Sequence, residues 1–104
     1  MKPLVGMRVV DLADEKGELC GRLLADLGAE VIRVEPPTGA TSRSLAPFAP
    51  DGETSLYFAY RNAGKRGTAL DLATEDGRKQ LKALLANADA LIDSTLPGSL
   101  GELG

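Results

Sequence analysis

Histidine and tryptophan are absent from this 104-residue chain, cysteine occurs once, and aromatic residues make up only 4% of it. Without histidine there is no Ser-His or Cys-His catalytic pair, and a single cysteine allows neither a disulfide framework nor a zinc cluster, so no metal is expected. No apolar run approaches the roughly 18 residues of a membrane span, and no charged-then-apolar leader opens the sequence. The expectation is a cytoplasmic protein with no membrane partner. Basic residues are outnumbered, 12 against 15 acidic, for a net charge of −3. That balance argues against nucleic acid as a partner, because releasing counterions from phosphates needs a net basic face.

Hydrophobic residues make up 43% of the chain, enough for a single domain over 1–104 with a modest core. With so few aromatics, burial rests on Leu, Val, Ile and Ala, which favours helices packed on a sheet. Apolar alternation predicts strands over 8–12, 30–34, 68–72 and 89–93. Leu19, Cys20, Leu23, Leu24 and Leu27 recur at helical spacing, with Gly28 as the left-handed cap. This reading places Cys20 in the core, as a packing residue and not a nucleophile. A second helix starts at Thr74, carries Glu75 and Asp76 at its positive end and stops near Asn87, with Leu81, Leu84, Leu85 and Ala88 facing inward.

Each helix joins two strands, and "DLADEKG" at 11–17 is echoed by "DLATEDG" at 71–77. The pattern reads as two βαβ units with parallel pairing: an α/β fold, a Rossmann-like parallel sheet of about four strands with flanking helices. Such sheets bind ligands outside the carboxyl ends of their strands, which directs attention to the loops at 13–18, 35–39, 73–76 and 94–98. Gly17 and Gly21 are too far apart for a dinucleotide G-x-G turn. Residues 36–67 carry four of the six prolines and read as an extended connection within the domain. Inside it, "SLYFAYRN" gathers three of the four aromatics and reads as a short buried helix, followed by the basic loop "AGKRG".

The order "LVGMRVVDL", "GRLLADLGAEVIRVEPPTG", "SLYFAYRNAGKRGTALDLATEDGRKQL" and "ADALIDSTLPGSLGELG" resembles the N-terminal part of a family III CoA-transferase, the family of formyl-CoA transferase, carnitine CoA-transferase and α-methylacyl-CoA racemase. The resemblance runs through essentially the whole chain, and "LLADLGAEVIRVEPP" and "KRGTALDL" are its most specific pieces. It implies a CoA thioester as partner, with coenzyme A or acyl-CoA held as substrate by the first loop and the strand ends. By position, that loop contributes Glu15 and Lys16, the turn after the second strand Pro36, the third strand and its exit Leu70, Asp71, Leu72 and Ala73, and the fourth strand's exit Ser94, Thr95 and Leu96.

Bland readings stand beside these. Lys16 reads also as a solvated first-turn lysine, and Pro36 as a strand stop. Lys65 and Arg66 read either as phosphate ligands, a point charge and a bidentate fork, or as a solvated loop. Where the family commonly has Glu-Asn-Phe this chain has Asp93, Ser94 and Thr95, and Glu102 stands where a basic residue is frequent.

In the family, an Asp attacks the acyl-CoA thioester to give a mixed anhydride. The resemblance places that Asp beyond residue 104, and neither Asp71 nor Asp93 lies in its motif. The chain is therefore expected to be an N-terminal fragment or a truncated relative, inactive alone. It is also expected to self-associate, as a homodimer or otherwise, through an exposed sheet edge or face. The alternatives are a non-catalytic nucleotide-binding or interaction module, a member of the racemase branch, and a flavodoxin-like or receiver domain. The receiver reading lacks its phosphate-accepting Asp at the third strand's exit, where Ala73 and Thr74 follow Asp71.

Overall fold

The computed structural model describes residues 3–93; Ser94, Thr95, Leu96 and Glu102 lie outside them. The elements run β1 (Arg8–Asp11), α1 (Glu18–Asp26), β2 (Glu30–Glu35), a short 3-10 turn (Thr41–Ser44), α2 (Leu56–Arg61), β3 (Arg66–Ala69), α3 (Glu75–Ala86) and β4 (Ala90–Ile92). All strand pairs are parallel, in the order β3-β2-β1-β4. This is the α/β parallel sheet with flanking helices that the alternation predicts.

Alternation along the strands sorts side chains to the two faces. Val9 and Val31, partners in register, join Ala29 in one cluster against Leu24 and Ala25 of α1. Val10, Val34 and Leu70 pack with Leu81 of α3 in the other, supported by Leu84, Leu85 and Ala88. The inward stripe of α3 is therefore the predicted one. Its predicted ends hold too: the Thr74 side chain accepts the Gly77 N–H at 3.0 Å, and Asn87 is the C-cap. Gly28 adopts φ +105° after α1, as a left-handed cap requires.

Five expectations need correction. β3 and β4 do not pair; they occupy opposite edges of the sheet, because β1 and β2 form the centre and α3 crosses the whole sheet. β3 also starts two residues earlier than the alternation places it and ends at Ala69, so Leu70, Asp71 and Leu72 follow the strand. In α1 the buried residues are Glu18 and Gly21, while Leu19, Leu23 and Leu27 are 37%, 54% and 45% exposed and Cys20 is exposed. Leu24 alone of the predicted stripe packs on the sheet, and Glu18 and Gly21 take the rest of the buried face for a reason visible only in three dimensions. Finally, α2 forms where expected but buries none of its residues. The segment around it is more than an extended connection, since Ala40, Ser42 and Ser55 are buried.

Candidate functional site at the carboxyl edge of the sheet

The loops leaving β1, β2 and β3 share one edge of the sheet, and each is held by side chains. Asp11 closes β1 and turns the chain by accepting the Ala13 N–H on Oδ1 at 2.9 Å. Asp14 then accepts the Lys16 N–H at 2.9 Å, and its carbonyl takes the Gly17 and Glu18 N–H groups to open α1. After β2, Pro36 ends the strand and Gly39 takes φ +89°, which favours glycine. Glu35 folds this turn back on itself: its carboxylate receives Arg43 Nε at 2.7 Å and Nη2 at 3.0 Å, and the Ala40 N–H at 3.3 Å.

Between these two loops lies a cavity of about 140 Å³, lined by Leu12, Ala13, Asp14, Arg33, Val34, Pro36, Ala40 and Thr41. Whole-ligand pockets run to about 300–1,000 Å³, so this one holds a part of a ligand. Thr41 in its lining and Arg61 of α2 both hold the first loop. Thr41 Oγ1 donates to the Glu15 carboxylate at 2.7 Å, and Arg61 Nη1 donates to the Glu15 carbonyl at 3.3 Å. The Thr41 hydrogen bond, supported by backbone N–H donation, lowers the Glu15 pKa from the usual glutamate value. At Glu35 burial pulls upward, but hydrogen bonds from Arg43 and Ala40 and the nearby guanidinium charges win, and its pKa is lowered.

Beneath the first loop lies a cluster of four buried charges. Asp11 and Arg33 are register partners on the α1 face of the sheet, and Glu18 enters from α1 with 0% exposure. Arg33 Nη2 donates to Glu18 Oε2 at 3.0 Å, where the Ser42 hydroxyl and the Asn62 amide also donate, at 2.7 and 3.1 Å. Lys65 Nζ donates to Asp11 Oδ2 at 2.6 Å, to the Glu18 carbonyl at 2.9 Å and to Asn62 Oδ1 at 2.8 Å.

The predicted site residues therefore fall in different places. Glu15 and Pro36 come together at the cavity, one on the loop bonded to its rim and the other in its lining. Lys16 is on the same loop with its side chain 77% exposed and its ammonium 3.9 Å from Asp14 Oδ2. Leu70 is 7% exposed and sits in the α3-side core, where the half-buried Leu72 supports it, though the Leu70 N–H donates to the Glu35 carbonyl. Asp71 folds into the turn before α3, accepting the Ala73 N–H at 3.0 Å, and Ala73 is exposed.

Lys65 and Arg66 do not line the cavity. Lys65 is 1% exposed with its donors engaged inside the protein, and Arg66 points to solvent at the amino half of the sheet, 3.4 Å from Glu30 Oε1. Ala13 and Glu18 fall in the 13–18 loop to which the sequence pointed, whereas Arg33, Ala40 and Thr41 in the lining and Asp11 and Asn62 beneath it lie outside the loops it marked. Asp11 and Arg33 each end an apolar run with a charge, a signal whose meaning depends on their register.

The family model for CoA-transferase family III matches residues 4–104. This chain belongs to that family. The succinyl-CoA:(R)-benzylsuccinate CoA-transferase subunit BbsE of Thauera aromatica is 44% identical over 93% of this chain and 24% of its own. A probable fatty acyl-CoA transferase of Mycobacterium tuberculosis is 41% identical over 99% of this chain and 27% of its own. Among solved structures, a CAIB/BAIF family protein from Brucella suis superposes with a TM-score of 0.90 at 38% identity, over 98% of this chain and 28% of that one. The chain spans about a quarter of the length of the family III relatives it matches.

Proposed function

We propose that this chain supplies part of the coenzyme A pocket of a family III enzyme that moves CoA between carboxylic acids in the cytoplasm. The observation that carries this reading is the cavity at the carboxyl ends of β1 and β2, the position where open parallel sheets take ligands. Its lining of Leu12, Ala13, Val34 and Pro36 suits a flat ring, and the Arg33 guanidinium in it is 4% exposed and already engaged by Glu18. An uncharged adenine fits such a lining better than a phosphate, which needs a free cation. Adenine therefore stacks against Pro36, and the phosphates turn outward toward Lys16.

Leu70 and Ala73 contribute backbone at the next strand exit, with Ser94, Thr95 and Leu96 completing the series. In the whole enzyme an aspartate carboxylate adds to the thioester carbonyl and the C–S bond breaks, releasing CoA as thiolate and leaving an acyl-aspartate anhydride. Neither Asp71 nor Asp93 takes that role here. The chain also self-associates, through the exposed edge of β3 and the outward leucines of α1.

Calorimetric titration with CoA tests the reading. The chain is expected to bind CoA and 3′-phospho-ADP alike, and Pro36→Asp is expected to weaken both about tenfold. Failure of the unsubstituted chain to bind either ligand would sink it.

A further inference from the structure

Lys65 is a buried cation that the binding reading leaves without a task. An ammonium has three N–H donors and no acceptor, and all three of its donors are used, on Asp11, the Glu18 carbonyl and Asn62. Stability alone is a weak explanation, because the cost of desolvating two charges offsets much of their attraction. The placement of the acceptors is more informative. Asp11 is the residue immediately before the 12–17 loop, and Glu18 is the residue immediately after it. One ammonium therefore joins the two ends of the loop that forms a wall of the cavity.

Asp11 divides its oxygens between two jobs. Oδ2 takes the ammonium and Oδ1 takes the Ala13 N–H, and Ala13 lines the cavity with 1% exposure. Holding one oxygen fixes the rotamer that presents the other. The helix makes room for this arrangement. A Cβ on Gly21 would lie 2.5 Å from Asp11 Oδ2, 2.9 Å from Lys65 Cε and 3.0 Å from Lys65 Nζ. Only a glycine lets α1 close over the pair.

We propose that Lys65 is a positioning residue for the coenzyme pocket: its buried ammonium ties Asp11 to Glu18 and thereby sets the 12–17 loop against the cavity without touching the ligand. The proposal rests on the carboxyl-edge cavity being the coenzyme site. It assigns to Lys65 a task different from phosphate binding, and it separates Lys65 from its neighbour Arg66.

The test compares the full chain with two variants by amide hydrogen exchange and by CoA titration. Lys65→Met alone leaves the buried Asp11 with only the more distant Arg33, 3.9 Å away, as counter-charge and threatens folding, so the first variant is Asp11→Asn combined with Lys65→Met, which removes one charge of each sign. The second is Gly21→Ala, which forces the pair apart while every charge stays in place. In both, exchange at Ala13 and across 12–18 is expected to rise about tenfold while Val9, Val10 and Val31 keep their protection, and CoA affinity is expected to fall about tenfold.

Unchanged exchange over 12–18, or a rise shared equally by the strands, would overturn the positioning role. Intact CoA affinity with a loosened loop would overturn it as well. If the unsubstituted chain binds no CoA, the binding reading fails, and the exchange pattern still decides whether Lys65 sets the loop.

Discussion

Glu35 ends β2 with its carboxylate gripped by two nitrogens of Arg43, whose guanidinium in turn lies 3.9 Å from the Phe58 ring. Bidentate pairing and ring stacking both need the planar fork of arginine, so Lys is a poor replacement here. Because the folded pKa of Glu35 is lowered, the pair contributes stability above the usual glutamate value and loses it as pH falls through the folded value. Acidification from pH 7 into the range below about 4.3 is therefore expected to release the 36–43 turn. Arg43→Lys should make the melting temperature less sensitive to acid over that range. Identical acid profiles for the two proteins would show that the clamp contributes nothing. The same residue scale explains why a glutamate lies buried in α1: Arg33, Ser42 and Asn62 all donate to Glu18 Oε2 and replace the water that oxygen loses, while Oε1 is buried without a hydrogen bond.

At the scale of elements, α3 is the most self-determined helix. Thr74 caps it and Glu75 and Asp76 occupy its first turn, complementing the positive end. Thr74→Ala is expected to cost about 1 kcal/mol in denaturant unfolding. Gly77→Ala is the sharper test, since helix propensity alone favours alanine by about 1 kcal/mol. A Cβ there would collide with the Asp71 carbonyl, and so the substitution should destabilise despite the propensity. A stabilised Gly77→Ala variant would show that α3 is free to move off the β3 exit. By contrast α1 is decided from outside. Its leucines at 19, 23 and 27 face outward, and the helix is seated by Gly21 over charged groups from two other elements.

At the scale of the whole molecule, the helices cover the two faces of the sheet, while the β3 edge and the outward leucines of α1 stay open. Arg66, Gly67 and Ala69 of β3 are exposed, and an edge of this kind offers unpaired N–H and C=O groups. Sedimentation at increasing concentration is expected to show self-association, and Leu23→Lys to shift the equilibrium toward monomer by about tenfold or more. A chain that stays monomeric at high concentration would remove the self-association proposal and leave the pocket reading intact. Among the described residues no helix is long and apolar enough to cross a membrane.

Properties that depend on neighbours in the chain were legible in the sequence. The four strands follow from alternation, α3 from its cap and apolar stripe, and the turn after α1 from Gly28, because each is set by backbone sterics and local hydrogen bonding. A cavity, with Pro36 in its lining and Glu15 bonded to Thr41 beside it, lies at the carboxyl edge to which the parallel order directed attention. What depends on register and on packing between distant elements was decided only in the tertiary structure. Lys65 looks like a solvated or phosphate-binding lysine beside Arg66, until the fold brings it to Asp11, 54 residues away in sequence. Leu19, Leu23 and Leu27 look like part of a core stripe with Leu24, yet only Leu24 packs on the sheet. Hydrophobic spacing ranks side chains by their own transfer energy, whereas a network of paired charges can be buried in place of leucine even with Glu18 Oε1 and Arg33 Nε left without a hydrogen bond.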